Sequence, residues 1–120
     1  MSIIGYIPMR VIDILNVSGY TAPIPVYIGA SNTAHMQIKH PADYAKYSNN
    51  LALIITSPDY VAINPKDGSI ELIKEFVSNG EYVKVAVRIA KSGKHFARSL
   101  YVLNSNRVTN FLAKGTLLKV

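Results

Sequence analysis

Three histidines, a late Arg-Ser-x-Tyr string and a set of lysines carry most of the reactive chemistry in this chain. His35 and His40 lie within six residues of one another, and His95 precedes Arg98, Ser99 and Tyr101 in a single stretch. Imidazole titrates near neutral pH, so it can take or give a proton in water. A guanidinium offers a planar fork to two phosphate oxygens. Hydroxyl and phenol groups can bond phosphate or ribose. These types together suit an RNA phosphodiester cut without a metal. That chemistry needs a base for the 2′-hydroxyl, an acid for the leaving oxygen and fixed positive charge for the phosphorane. A plainer alternative stays open: half-exposed polar residues on a sheet, with one early histidine packed or capping and the other solvated.

Several other chemistries are excluded. A histidine spacing of five turns two side chains roughly 140° apart on a helix, so the pair cannot share a zinc as helical metalloprotease ligands do. Neither histidine has a neighbouring Glu. The chain has no cysteine, which removes disulfides, thiolate zinc sites and cysteine nucleophiles. No cofactor is expected. The cysteine-free composition fits a cytoplasmic location. No apolar run approaches the ~18 residues of a membrane helix, and the N-terminus lacks the pattern of a secretion signal. Hydrophobic residues make up 49% and charged residues 17%, enough apolar material for one packed core and too little charge for disorder.

The net charge of +6 is unevenly spread. Residues 1–81 hold five bases and all seven acids, a sum of −2. Residues 82–120 hold eight bases and no acid, a sum of +8. The C-terminal third is therefore where a polyanion would bind, unless the block is only a solvated face.

The elements that must position these groups follow from period and punctuation. Residues 1–24 read as an apolar lead-in broken by Gly5, Pro8 and Gly19, open to being a small strand pair on the sheet edge or an arm that covers the site, and residues 25–118 as the core of a single domain spanning 1–120. Val26–Ile28 suggests a short strand. Ser31 or Asn32 can cap a helix from Thr33 to about Lys39. Pro41 ends that helix and stands near the start of a second, about 42–56, with Tyr44, Tyr47, Leu51, Ile54 and Ile55 on one stripe. Then the period changes. Tyr60–Ile63, Ile70–Phe76, Tyr82–Ala90 and Phe96–Leu103 are strand-like and separated by turn clusters, predicting a four-stranded antiparallel meander. Ser105 can cap a short final helix, about 106–114, stopped at Gly115. The predicted class is α+β, with N-terminal helices packed on a four-stranded antiparallel sheet.

Parity sharpens the site. In the third of these strands Val83, Val85, Val87 and Ile89 share one face, and Tyr82, Lys84, Ala86 and Arg88 share the other. In the fourth, Arg98 falls on the apolar side with Phe96, Leu100 and Val102. Two resolutions are open. Either His95, Ser99 and Tyr101 join Lys84 and Arg88 on an open basic face, or a bulge swings Arg98 onto it.

The ordered strings His35-Met36, Lys39-His40-Pro41, Ser57-Pro58-Asp59-Tyr60-Val61, Ile70-Glu71-Leu72-Ile73-Lys74, Val87-Arg88-Ile89 and Arg98-Ser99-Leu100-Tyr101-Val102-Leu103 resemble the third subgroup of phage-associated barnase/EndoU/colicin/RelE-like nucleases, over about residues 26–118. The resemblance implies that fold and a metal-independent endoribonuclease of phages or mobile elements, often a toxin or effector. His35 and His40 match its His-x4-His-Pro element. Arg98 and Tyr101 match its Arg-Thr-x-Tyr element, with Ser99 where Thr is usual. His35, His40, Arg98, Ser99 and Tyr101 are thus the expected catalytic set. Lys74, Lys84, Arg88, Lys91 and Lys94 are the expected RNA-binding set. RNA, tRNA among it, is the expected partner, with a neutralising protein a further one and no membrane. Two other classes stay in view: a non-catalytic RNA- or partner-binding phage protein, and a structural protein whose surface is merely basic.

Overall fold

The alternation between Tyr60 and Leu103 folds as four antiparallel strands, and three more strands extend them. The computed structural model describes residues 1–120. The chain runs β1 (Ser2–Ile7), α1 (Met9–Leu15), β2 (Ile24–Ile28), α2 (Ala30–Lys39), α3 (Pro41–Tyr47), α4 (Leu51–Thr56), β3 (Tyr60–Ile63), β4 (Ile70–Phe76), β5 (Glu81–Ile89), β6 (His95–Leu103), α5 (Ser105–Ala113) and β7 (Leu118–Lys119). The strand order is β1-β2-β6-β5-β4-β3-β7. Only the β2–β6 pair is parallel.

The expected four-stranded antiparallel sheet is therefore corrected to a seven-stranded mixed one, within the same α+β class. The missed strands share a cause. β1 contains Gly5 and a register shift between Ile3 and Gly5. β7 is two residues long. Both become strands through distant partners rather than local pattern. Residues 1–24 also feed the core, where Ile7, Val11, Ile12 and Ile24 are buried.

The sheet packs on both faces. On one, Val83, Val85, Val87, Leu72 and Leu100 meet Ile54 and Ile55 of α4, Tyr47 of α3 and Met36 of α2. On the other, α5 lays Val108 against Ala62, Ile73 and Leu103, with Leu117 just beyond the helix. The predicted stripe is buried at Tyr47, Leu51, Ile54 and Ile55 and only half-buried at Tyr44, against the same core. Its helix is broken, though, by a 3-10 turn at Ser48–Asn50, a run whose side chains compete for backbone hydrogen bonds. α2 starts three residues early, because Asn32 Oδ1 accepts from the Gly29 amide at 2.9 Å. Asn104 rather than Ser105 caps α5, accepting from the Asn106 amide at 2.8 Å. Gly115 follows at φ 73°, as a helix stop requires. No helix is long and apolar enough to cross a membrane.

One feature of the topology shapes the site. β2 pairs with β6 only at Val26–His95 and Tyr27–Phe96. Past that point no strand borders the outer edge of β6, and α2 and α3 lie along it. The Val102 amide on this edge donates to Asp43 Oδ2 of α3 at 3.0 Å. That bond satisfies a donor the missing strand would otherwise leave open.

Candidate active site

Arg98 is positioned by a bulge. Ala86 pairs with Ser99 and Val87 with Ala97, so Arg98 has no partner across the ladder. The extra residue reverses parity along β6. Ser99 and Tyr101 then share the side of Tyr82, Lys84 and Ala86. His95 and Ala97 turn into the core. The second of the two parity readings is the one realised, and His95 does not join the open face. The residue is 6% exposed, and its imidazole shares a 3.2 Å hydrogen bond with the Tyr20 hydroxyl. Burial pushes its pKa below the usual imidazole value.

Arg98 and Arg88 line one hollow of about 220 Å³ with Phe96 of β6, Ile89 and Ala90, and with Ser31 and Asn32 from the first turn of α2. No carboxylate lines it. Arg88 approaches Asp67 only at 3.9 Å, with both side chains at least a third exposed, so the pair holds it weakly. Asp67 is bound first by Ser69, whose hydroxyl and amide donate to it at 2.6 and 2.9 Å. Those bonds hold its pKa below the usual carboxylate range, with the Arg88 charge adding less. The hollow thus offers two guanidinium groups to an anion, beside the positive end of a helix dipole.

His35 is exposed on α2. It follows Asn32 by three residues and Ser31 by four, a spacing that puts all three on one flank of the helix. His40 sits at the joint of α2 and α3, half-buried, its ring stacked on Tyr101 at 4.8 Å and 24°. Lys84 Nζ lies 4.9 Å above the same Tyr101 ring and donates to Glu71 at 2.9 Å. Both ends of that ion pair are about 15% exposed. Burial works to lower the Lys84 pKa, but the bonds to Glu71 and Tyr101 outweigh it and the net shift is upward. Lys84 therefore stays charged and is already neutralised by Glu71.

The remaining expected residues divide. Lys91 and Lys94 stand exposed in the β5–β6 turn, with Lys94 Nζ 5.1 Å above the Tyr27 ring. Lys74 is elsewhere. It pairs in register with the core-facing Val83, donates to the Ser57 carbonyl at 2.8 Å and lies 3.7 Å from Asp59. There it closes the C-terminus of α4. The structure does not bring it to the Arg88–Arg98 hollow. Sequence reasoning missed Ser31 and Asn32 as lining residues, having read them as caps. Their spacing of three and four from His35 was the available signal.

The fold is a small α+β domain that presents two arginines in one hollow and an imidazole stacked on a phenol ring beside the same strand. The chain belongs to the phage-Barnase-EndoU-ColicinE5/D-RelE like nuclease3 family, whose model matches residues 2–110. No curated protein and no solved structure matches it significantly.

Proposed function

We propose that this nuclease is a metal-independent endoribonuclease that cuts by 2′-hydroxyl attack. The observation that carries the reading is the hollow in which Arg88 and Arg98 meet the first turn of the histidine-bearing helix. Arg98, on its bulge, forks onto the scissile phosphate, with Arg88 beside it. His35 takes the 2′-hydroxyl proton as that oxygen attacks phosphorus. The bond to the 5′-oxygen breaks, and the His40–Tyr101 pair supplies the proton the leaving oxygen needs. Ser99 and Tyr101 bond phosphate or ribose. The products are a 2′,3′-cyclic phosphate and a 5′-hydroxyl. Family membership together with this chemistry favours a toxin or effector role toward cellular RNA, held in check by a neutralising protein.

Incubation with total tRNA and a chelator is the test. Cyclic-phosphate ends should accumulate. Substitution His35→Ala should lower turnover by roughly 10²–10⁴-fold, the usual contribution of a general base, while RNA affinity is kept. Intact tRNA, or cleavage that His35→Ala leaves unchanged, overturns the reading. RNA binding without turnover would leave a binding module on the same scaffold.

A further inference from the structure

We propose that a row of side chains across β1, β2, β6 and β5 is a stacking subsite for unpaired bases flanking the cut. The inference rests on the endoribonuclease reading and extends it to the form of the substrate. Val26 is fully buried, so Tyr27 beside it turns to the opposite face of the sheet. Register then aligns Ile3 with Tyr27, Tyr27 with Phe96, and Phe96 with Arg88. Ile3 is 44% exposed. Tyr27 and Phe96 are half-exposed, with ring centroids 6.0 Å apart. α5 covers the far half of this face, over Ala62, Ile73 and Leu103, and leaves the row open.

Charge selects the occupant. Phe96 lines the hollow that holds Arg88 and Arg98. Beyond Phe96, Lys94 Nζ stands 5.1 Å above Tyr27, and both residues line a second hollow of about 360 Å³. Two adjacent aromatic rings thus lie between Lys94 and Arg88 on a line that ends at the proposed scissile phosphate. Sheets that present aromatics between cations bind single-stranded nucleic acid, because every base has a face to stack. A duplex keeps its bases stacked on each other and cannot offer them to Tyr27 and Phe96. The row therefore selects unpaired RNA.

The chain has no tryptophan, so Tyr27→Trp creates a single reporter at the row. A single-stranded 2′-O-methyl oligonucleotide, which cannot be cut by 2′-attack, should quench its fluorescence. The same sequence as a duplex should not. Tyr27→Leu and Phe96→Leu should each weaken single-strand binding roughly 5- to 150-fold, the equivalent of one lost base stack, and Tyr27→Leu, which lies outside the Arg88–Arg98 hollow, should leave cleavage of a bare dinucleotide unchanged. Equal quenching by the duplex overturns the proposal. So does oligonucleotide binding, seen by anisotropy, that leaves Trp fluorescence unmoved. A parent protein that cuts tRNA while the reporter stays silent rejects the row alone. A quenched reporter on a protein that cuts nothing rejects the catalytic reading and keeps the row.

Discussion

Arg98 reaches solvent because one residue of β6 is left out of the ladder, between the pairs Ala86–Ser99 and Val87–Ala97. On the proposed reading, this position supplies more than charge. A lysine there keeps the charge and loses the fork. Arg98→Lys should therefore lower kcat/KM at least ~10-fold and Arg98→Ala by ~10²–10³, the range seen when a fixed transition-state donor is removed. Cleavage kinetics on a short RNA check this, and a lysine variant as fast as the parent would rule out the fork. His95, by contrast, bears on stability. Burial lowers its folded pKa below the ordinary unfolded value of about 6.5, so the unfolded chain binds the extra proton more readily. Its contribution is complete above the unfolded value and is lost as pH falls through that value toward the lower folded one. Thermal unfolding at pH 7.5 and pH 5 should show an acid loss that His95→Gln reduces. An unchanged pH dependence in the variant would place the titrating group elsewhere.

At the scale of elements, α2 matters because it carries the proposed base, and one side chain fastens it. Met36 is fully buried in the main core, while Ile38 on the other side is 77% exposed. Met36→Ala should cost about 2–5 kcal/mol of stability, the range for emptying a buried methionine site. It should also lower cleavage at temperatures where the fold still holds, because α2 loses its seat against β6. Denaturant unfolding paired with single-turnover cleavage separates the two effects; full stability in the variant would show α2 fastened elsewhere. Elements of this kind differ in how well the sequence announces them. β3 to β6 could be read from alternation, because each buries one face against helices and repeats its pattern over four to nine residues. The bulge was visible as the one parity break, at Arg98. β7 was not visible, and β1 only as one of two alternatives for residues 1–24, since pairing with distant segments makes them strands. The role of Lys74 was hidden for a related reason: only the folded chain brings it to the Ser57 carbonyl, seventeen residues away. The lining role of Ser31 and Asn32 likewise depended on how α2 settles along the edge of β6.

For the molecule as a whole, net charge is a poor guide to what a polyanion would meet. Its longest extent is 36 Å, several times the Debye length of ~8 Å at physiological salt, so local pairing decides which cations count. Lys84 is taken by Glu71 at 2.9 Å and Lys46 by Glu81 at 2.6 Å. Lys74 is occupied at the end of α4. Of the cations expected at the site, Arg88, Lys91, Lys94 and Arg98 are the ones left around the β5–β6 turn, in or beside the two hollows. Four phosphate contacts on a single strand predict that the logarithm of the binding constant falls with the logarithm of salt at a slope of about −3. Removing Lys91 and Lys94 together should reduce the slope by about 1.4. Lys46→Ala should leave it unchanged, though it removes the same formal charge per residue. Anisotropy titrations of a labelled oligonucleotide across a salt series measure all three. If Lys46→Ala flattens the slope as much per charge as the turn lysines do, RNA senses the whole +6 molecule and not a built cationic path. A slope near zero in the parent would mean that this face does not bind a polyanion at all.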